Sequence, residues 1–282
     1  MQNEFDEKTY NRLAAEFRYI ITDIICRSGS GHLGGSLSLV EIVITLYWRI
    51  MRINPENPTW EDRDRLVLSK GHAGPVLYTA LAYKGYFPVK ELLTLNVNGT
   101  TLPSHCDMLL TKGVDMTAGS LGQGLSAAVG MALAGKMDRK GYRVFCIIGD
   151  GESDEGQIWE AALFAGHHHL DNLVAITDYN KLQIDGPTKE VLNLEPLVDK
   201  WLAFNWEVFE MDGHDWNDLY QTLNQAIATK EKPKMIIAHT IKAKGHPLFE
   251  NKIESHNIKV PDEKSHQEFV RAVELEDFDW PY

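Results

Sequence analysis

The feature that most constrains the fold of this chain is a series of short apolar runs, each separated from the next by residues with helical periodicity. The runs cover residues 66–68, 144–148, 172–177, 206–210 and 235–239. Continuous apolar strands are typical of a parallel sheet that helices cover on both faces. We therefore predict a single α/β domain over residues 1–282, with a tail of uncertain order at 271–282.

Helical periodicity is clearest near the amino terminus, where apolar residues recur every three or four positions from Leu13 to Ile25 and the pattern ends near 28–31. Further helices are predicted at 38–51, 75–83, 125–137, 157–166, 197–204 and 215–229. In sheets of this kind, ligands bind where the carboxyl ends of the strands turn into helices. We therefore expect the functional residues in the loops that follow the strands.

Composition narrows the classes of protein to which the chain can belong. Its 40 acidic and 28 basic side chains give a net charge of −12, which argues against nucleic-acid binding because phosphate backbones are bound by clusters of Lys and Arg. No long apolar run is present and residues 1–8 are polar, so we expect neither a membrane span nor a signal peptide. Three scattered cysteines fit no disulfide framework or zinc cluster. A reduced, cytoplasmic protein is the expectation.

Residues 29–34 match the G-x-G-x-x-G pattern of dinucleotide-binding loops. The residues before them have the periodicity of a helix rather than a strand, and no acidic residue ends a second strand about twenty residues later. We therefore predict no nicotinamide or flavin site here.

The strongest local signal follows the run at 144–148, where Gly149, Asp150 and Gly151 lead into a helix. Such a turn lets a phosphate approach backbone N–H groups, but the acidic side chains from Asp150 onward would repel a bare phosphate. A hard divalent cation, Mg²⁺ or Ca²⁺, would resolve the conflict by joining Asp150 to a diphosphate. Asn180 follows the next strand and would offer a second oxygen ligand. Charge matching to the helix start explains residues 153–155, but not an aspartate between two glycines.

Four histidines stand in loop-like contexts flanked by Gly, Ser or Pro, namely His32, His72, His105 and His256. Each alone is more often structural, but together, in a chain with a metal–phosphate signal, they favour a polar pocket that handles protons. A second glycine-rich loop at 119–124 opens a helix and is a weak signal by itself. The histidines at 167–169 end a helix and are interpreted as surface residues rather than zinc ligands.

Together these segments resemble the thiamine-diphosphate-binding half of transketolase. The glycine–aspartate–glycine turn followed by Asn180 is similar to the cofactor motif of thiamine diphosphate enzymes in general. Segments more specific to transketolase stand in the family's order at 30–32, 62–65, 69–72, 119–124 and 183–186. The similarity runs from about residue 10 to about residue 267 and is closest to the N-terminal subunit of split transketolases, in which two genes encode the usual single chain.

The resemblance implies a role for each matching residue. Those implied to bind Mg²⁺ or Ca²⁺ are Asp150, Asn180 and, through its carbonyl, Leu182. Those implied to contact thiamine diphosphate are His72, Gly119, Ser120, Leu121, Gly151, Asn180, Ile184 and His256. Those implied to be catalytic are His32, His72, His105 and His256, which would bind sugar hydroxyls and assist proton transfers, and Glu155 and Glu160, which would lie at the subunit interface.

The implied activity is transfer of a two-carbon ketol unit from a ketose to an aldose, in a heterotetramer with a separate pyrimidine-binding subunit. Two alternatives stay open: a subunit of another thiamine diphosphate enzyme, of the E1-type 2-oxo acid dehydrogenase or deoxyxylulose-phosphate synthase kind, and a non-catalytic paralogue. The chain departs from the family around its histidines, at 31–34, 104–106, 246 and 255–257. The sugar pair therefore stays open, with pentose phosphates as the default and an unusual ketose phosphate or a sulfosugar as the alternative.

Overall fold

The structure is a computed structural model that describes residues 6–281. Its helices are α1 (Glu7–Arg27), α2 (Leu33–Leu37), α3 (Val40–Thr45), α4 (Gly74–Tyr83), α5 (Gln123–Met137), α6 (Gly156–His167), α7 (Thr188–Val191), α8 (Leu197–Ala203), α9 (Trp216–Ala228) and α10 (Glu263–Arg271). Its strands are β1 (Ser30–Gly31), β2 (Arg65–Leu68), β3 (Val144–Gly149), β4 (Leu173–Tyr179), β5 (Glu207–Asp212), β6 (Lys234–His239) and β7 (Ile258–Lys259).

The five predicted apolar runs form one parallel sheet in the order β2-β3-β4-β6-β5. Along β3, Phe145 and Ile147 pack into one hydrophobic core with α1, α3, α4 and α9. The alternate side chains of β3 pack into a second core with α5, α6 and α8. Helices therefore cover both faces, as the sequence predicts, and the carboxyl ends of β2, β3 and β4 lie side by side.

A two-stranded antiparallel sheet was not predicted, because two residues are too few to show a pattern. It pairs β1 with β7, with Gly31 opposite Ile258. This pairing joins segments more than two hundred residues apart in the chain, and it brings the loop of His32 next to the loop of His256.

The single helix predicted at 38–51 is wrong in detail. The chain forms α2, then α3, and then a π-helical turn over Leu46–Ile50. The N–H of Met51 donates to the carbonyl of Leu46, five residues earlier, and this wider bond ends the helix. Ser38 caps α2 instead of starting a helix, and its hydroxyl faces the site described below.

The segment after α10 packs against α1. Arg12 donates to the carbonyls of Glu276 and Asp277, and the ring of Phe278 lies 5.2 Å from that of Tyr19. Over residues 6–281, no helix combines the length and hydropathy needed to span a bilayer.

Close packing of α6 on the segment after α8 generates a stability prediction. A methyl group on Gly166 would lie 1.9 Å from the carbonyl oxygen of Phe204, a backbone atom that has little room to move. We expect Gly166→Ala to lower the free energy of unfolding by about 2 kcal/mol or more, measured by urea denaturation. The control is Gly130→Ala in α5, where nothing lies within 4 Å of the added methyl and replacing a helical glycine should raise stability by roughly 0.5–1 kcal/mol. Similar effects at both positions would contradict this packing.

Candidate cofactor and metal site

The sequence-predicted residues meet at the carboxyl edge of the sheet. There β2 is followed by His72, β3 by Asp150 and Gly151, and β4 by Asn180. A cavity of about 290 Å³ opens at this edge. The predicted residues that line it are His32, His72, His105, Gly119, Leu121, Asp150, Gly151, Asn180, Leu182, Ile184 and His256. Residues from loops that are distant in sequence therefore share one cavity.

Three predicted residues do not line this cavity. Ser120 is exposed beside it, in the same loop as Gly119 and Leu121. Glu155 and Glu160 are exposed at the start of α6, so their interface role stays a prediction.

Asp150 is a buried carboxylate that forms no ion pair within residues 6–281. It is 3% exposed, and its two oxygens accept hydrogen bonds from the backbone N–H groups of Gly151 and Lys181. No Lys, Arg or His nitrogen of the described residues lies within ion-pair distance of it. Burial, together with the charge of Asp178, raises the pKa of Asp150 to about 7. A bound cation would stabilise this carboxylate in its charged form.

The other two predicted ligands supply neutral oxygens. The amide nitrogen of Asn180 donates to Asp178 at 3.2 Å, and its Oδ1 accepts from the N–H of Leu182 at 3.1 Å. These bonds orient the side chain and leave the second lone pair of Oδ1 for a cation. The carbonyl of Leu182 accepts from the Lys242 ammonium at 2.9 Å. Carboxylate, amide and carbonyl oxygens are the donors that Mg²⁺ and Ca²⁺ prefer, so the residues fit such an ion.

The protein supplies only part of a coordination shell. Across the described chain, no three His, Cys, Asp or Glu side chains converge as they would around a metal held by side chains alone. With a single carboxylate, the ion would need further oxygens from water or from a ligand such as a diphosphate.

A buried ion pair lies behind the site, and the sequence analysis did not predict it. Lys70 pairs with Asp178, and the two side chains are 3% and 0% exposed. Burial alone would raise the pKa of Asp178, but the Lys70 charge and hydrogen bonds from Thr240 and Ser38 outweigh it and hold this pKa low. The available signal was a lysine and an aspartate at the carboxyl ends of β2 and β4, the strands on either side of β3.

Glu152 was also missed, because the sequence analysis assigned roles to Asp150 and to residues 153–155 but none to the glutamate between them. Its carboxylate is 3% exposed and accepts from the N–H groups of Gly122 and Gly149, each at 2.9 Å, and from the hydroxyl of Ser69. One side chain thus ties together the three loops that carry the glycine-rich segment, the Gly149–Gly151 turn and His72.

The four histidines form a cluster. The ring centre of His32 lies 5.1 Å from that of His72, 5.5 Å from His105 and 5.4 Å from His256. Burial, together with neighbouring charges, lowers the pKa of His32 to about 4 and that of His256 to about 3. Burial also lowers the pKa of His105 and, more strongly, that of His72. All four rings are therefore neutral near pH 7, able to donate one hydrogen bond and accept another.

Lys242 is a further cation that the sequence analysis did not single out. Its ammonium lies 3.2 Å from Nδ1 of His256. Because an ammonium only donates, Nδ1 acts as acceptor and the ring proton is on Nε2. Burial lowers the pKa of Lys242 to about 8, so it remains mainly charged at neutral pH.

Comparison with known proteins identifies the family. The model of the transketolase thiamine diphosphate binding domain matches residues 9–270. This chain belongs to the transketolase family. It is 58% identical over 246 residues to the 6-deoxy-6-sulfo-D-fructose transketolase subunit of Clostridium sp. (strain MSTE9), covering 87% of this chain and 90% of that protein. It is 41% identical over 253 residues to an apulose-4-phosphate transketolase subunit of Phocaeicola vulgatus, covering 90% of this chain and 89% of that protein.

Solved transketolase structures share the fold. The transketolase of Campylobacter jejuni superposes with a TM-score of 0.88 at 33% identity, over 95% of this chain. The match covers 43% of that longer transketolase. The chain thus has nearly the length of the relatives named as subunits, and spans less than half of this structurally known transketolase.

The metal assignment generates a binding prediction. In Asp150→Asn the only carboxylate among the three proposed ligands becomes neutral while its shape is kept. We expect the affinity for thiamine diphosphate in the presence of Mg²⁺ to fall at least about tenfold, measured by isothermal titration calorimetry. The control is Asp199→Asn on the exposed surface of α8, which should bind as the wild type does. Unchanged binding in Asp150→Asn would contradict the metal site.

The contacts of Glu152 generate a second prediction. In Glu152→Gln one oxygen becomes an NH₂ group, so either the N–H of Gly122 or that of Gly149 loses its buried acceptor. We expect a loss of about 1–3 kcal/mol in the free energy of unfolding, together with weaker binding of thiamine diphosphate, because the three loops are no longer held together. Glu190→Gln, at an exposed position of α7, is the matched control. A variant as stable as wild type would show that these bonds do not hold the loops.

Proposed function

We propose that this chain is the thiamine-diphosphate-binding subunit of a two-component transketolase. With a separate pyrimidine-binding subunit it transfers a two-carbon ketol unit from a ketose to an aldose. The observation that carries the proposal is one cavity that joins four neutral histidines to the oxygen donors of Asp150 and Asn180. The length match to relatives named as transketolase subunits supports the division into two chains.

The cofactor site is proposed from the charges around the cavity. Asp150, Asn180 and the Leu182 carbonyl hold Mg²⁺. Lys242, whose ammonium has no ion-pair partner among residues 6–281, offsets part of the remaining negative charge of the diphosphate. The residues proposed to contact the cofactor directly are His72, Gly119, Ser120, Leu121, Gly151, Asn180, Ile184 and His256. Thiamine diphosphate, once bound, supplies the carbanion chemistry of ketol transfer.

The histidine cluster binds the sugar substrates and transfers protons. Neutral rings of His32, His72, His105 and His256 bind hydroxyl groups of donor and acceptor, and they take up and return protons as carbonyl and hydroxyl groups interconvert. At His256 the proton is on Nε2, because Lys242 occupies the acceptor Nδ1. Nε2 of His256 is therefore the nitrogen that donates to a sugar oxygen.

We propose that the partner subunit covers the mouth of the cavity. Ile184, at its rim, is 62% exposed, more than expected for an apolar side chain that lies against a cofactor. Leu163 and Phe164 are exposed on α6, the helix that begins beside Glu155 and carries Glu160. Exposed apolar side chains favour an interface, and we propose a heterotetramer with two copies of each subunit.

The substrate is proposed from the relatives. The protein that is 58% identical is named for 6-deoxy-6-sulfo-D-fructose, so we propose a ketose with a terminal anionic group as donor, with this sulfosugar tested first and pentose phosphates second. Cys26, Cys106 and Cys146 are buried and unpaired, which agrees with a reducing compartment, and we propose the cytoplasm.

The test combines the purified chain with a separately produced chain carrying the pyrimidine-binding half, in the presence of thiamine diphosphate and Mg²⁺. We expect ketol transfer from 6-deoxy-6-sulfo-D-fructose or xylulose 5-phosphate to an aldose phosphate only when both chains are present, because one chain alone leaves the cofactor ring exposed. Products are followed by mass spectrometry, and the mass of the complex by light scattering.

Each component alone is the control for this experiment. Substantial turnover by this chain without a partner would contradict the two-subunit proposal. Thiamine diphosphate binding without turnover on any ketose, in the presence of a complementary partner, would instead favour the non-catalytic alternative.

A further inference from the structure

The loop that follows β6, residues 240–246, carries Lys242 to the cofactor cavity. The ammonium of Lys242 donates to the carbonyl of Leu182 at 2.9 Å and lies 3.2 Å from Nδ1 of His256. The next residue, Ala243, is buried and has a φ of 56°, a left-handed conformation that residues other than glycine rarely adopt. Such a conformation persists only where surrounding contacts hold it. The position of Lys242 therefore depends on contacts from outside its own loop.

Three side chains behind this loop form a connected group, termed the clamp: Arg18 of α1, Glu41 of α3 and His214, which precedes α9. Nδ1 of His214 lies 3.0 Å from Oε2 of Glu41, and Arg18 forms an ion pair with Oε1 of the same carboxylate. The three side chains are at most 13% exposed, and none of them lines the cofactor cavity. Burial alone would raise the pKa of Glu41, but the Arg18 charge and the His214 hydrogen bond outweigh it and hold this pKa low. The carboxylate is therefore charged, and it orients both neighbours.

The clamp binds the loop on both sides of Lys242. Nε2 of His214 accepts from the N–H of Ile241 at 2.9 Å, one residue before Lys242. Nε of Arg18 donates to the carbonyl of Lys244 at 2.8 Å, two residues after it. Because Nε2 of His214 accepts, the ring proton is on Nδ1 and donates to the carboxylate of the clamp. One buried carboxylate thus orients the two side chains that fix the loop.

Backbone bonds complete the anchoring of the loop. The N–H of Ala243 donates to the carbonyl of Gly34 at 3.0 Å, and the carbonyl of Lys242 accepts from the N–H of Asn251 at 2.8 Å. These two bonds do not involve the clamp. Loss of one clamp bond should therefore displace Lys242 without unfolding the loop.

We propose that Arg18, Glu41 and His214 are positioning residues that fix the Lys242 ammonium where a diphosphate binds. They touch neither cofactor nor sugar and act through Lys242. A lysine side chain that is already ordered loses less conformational freedom when an anion arrives, so the same charge binds more tightly. The part that concerns the diphosphate rests on the function proposed above, whereas the contacts of the clamp do not.

Two substitutions at His214 separate its bond to the loop from its bond to Glu41. His214→Asn keeps a donor at the position of Nδ1, facing Glu41, but is too short to reach Ile241. His214→Gln places an oxygen near the position of Nε2, so it keeps an acceptor for Ile241 and loses the donor to Glu41. We expect His214→Asn to weaken binding of thiamine diphosphate with Mg²⁺ about fivefold, as for loss of one hydrogen bond, and His214→Gln to bind more tightly than His214→Asn. Binding is measured by isothermal titration calorimetry on the purified chain.

A double-mutant cycle tests whether His214 acts through Lys242. Lys242→Met keeps the aliphatic stem and removes the ammonium. In this background we expect His214→Asn to have no further effect on binding, because the group that it positions is gone. A purely structural role of His214 would weaken binding equally in both backgrounds. Arg18→Lys, which keeps a charge beside Glu41 and removes the Nε donor, replaces His214→Asn in the cycle if that variant does not fold.

The proposal is overturned by any of four results. These are unchanged binding in His214→Asn, an equal or larger loss in His214→Gln, an equal effect of His214→Asn with and without the Lys242 ammonium, and failure of both His214→Asn and Arg18→Lys to fold, since the clamp would then be needed for folding itself.

Inorganic pyrophosphate with Mg²⁺ is titrated in parallel, because it carries the diphosphate charge without the thiamine rings. If the wild type binds pyrophosphate but not thiamine diphosphate, the proposed function is contradicted and the same cycle, measured with pyrophosphate, decides the role of the clamp. If the wild type binds thiamine diphosphate and the cycle fails, only the clamp is overturned and the proposed function stands. If neither probe binds, both are overturned.

Discussion

The buried ion pair between Lys70 and Asp178 is the interaction on which the functional edge of this protein depends. Lys70 follows β2 and Asp178 belongs to β4, so the pair spans the carboxyl end of β3 between them. The same carboxylate accepts from Ser38, Thr240 and Asn180, which come from three other positions along the chain. Removing one member of such a pair typically costs about 3–5 kcal/mol, because the other charge is left buried alone. The pair therefore positions the loops from which the cavity is built.

Two charged groups that face the cavity have no ion-pair partner among residues 6–281. Asp150 is buried with no ion-pair partner in residues 6–281, and its pKa rises to about 7. Lys242 is buried at the same cavity, and its pKa falls to about 8. A carboxylate that needs a cation, close to an ammonium that needs an anion, is the arrangement expected where a metal ion and a polyanion bind together. Binding of the metal ion and the polyanion together would offset the free-energy cost of burying the Asp150 carboxylate and the Lys242 ammonium.

The geometry of the histidine cluster requires that its rings be neutral. Four imidazoles whose ring centres lie 5.1–5.5 Å from neighbouring rings would repel one another if charged. Burial and the nearby lysines keep them neutral. Each ring can then donate at one nitrogen and accept at the other, which suits sugar hydroxyls better than a cluster of imidazolium ions would. The antiparallel pair of β1 and β7 makes this geometry possible, because it joins the loops of His32 and His256.

What the sequence by itself determined is the sheet, the longer helices that cover it and the identity of the residues at its carboxyl edge. Runs such as 144–148 are apolar throughout, and such a run is stable only where both faces of a strand are buried. The turn of Gly149, Asp150 and Gly151 indicates a binding site, because capping a helix does not require an aspartate between two glycines.

Only the tertiary structure decided the contacts between distant segments. Three contacts join residues far apart in the chain: the pairing of Lys70 with Asp178, the three bonds of Glu152, and the β1–β7 pair. Local periodicity carries no information about such pairs, because it reports which face of an element is buried and not which partner meets it there. Burial and charge acquire their effect on chemistry only when the chain has brought these groups together.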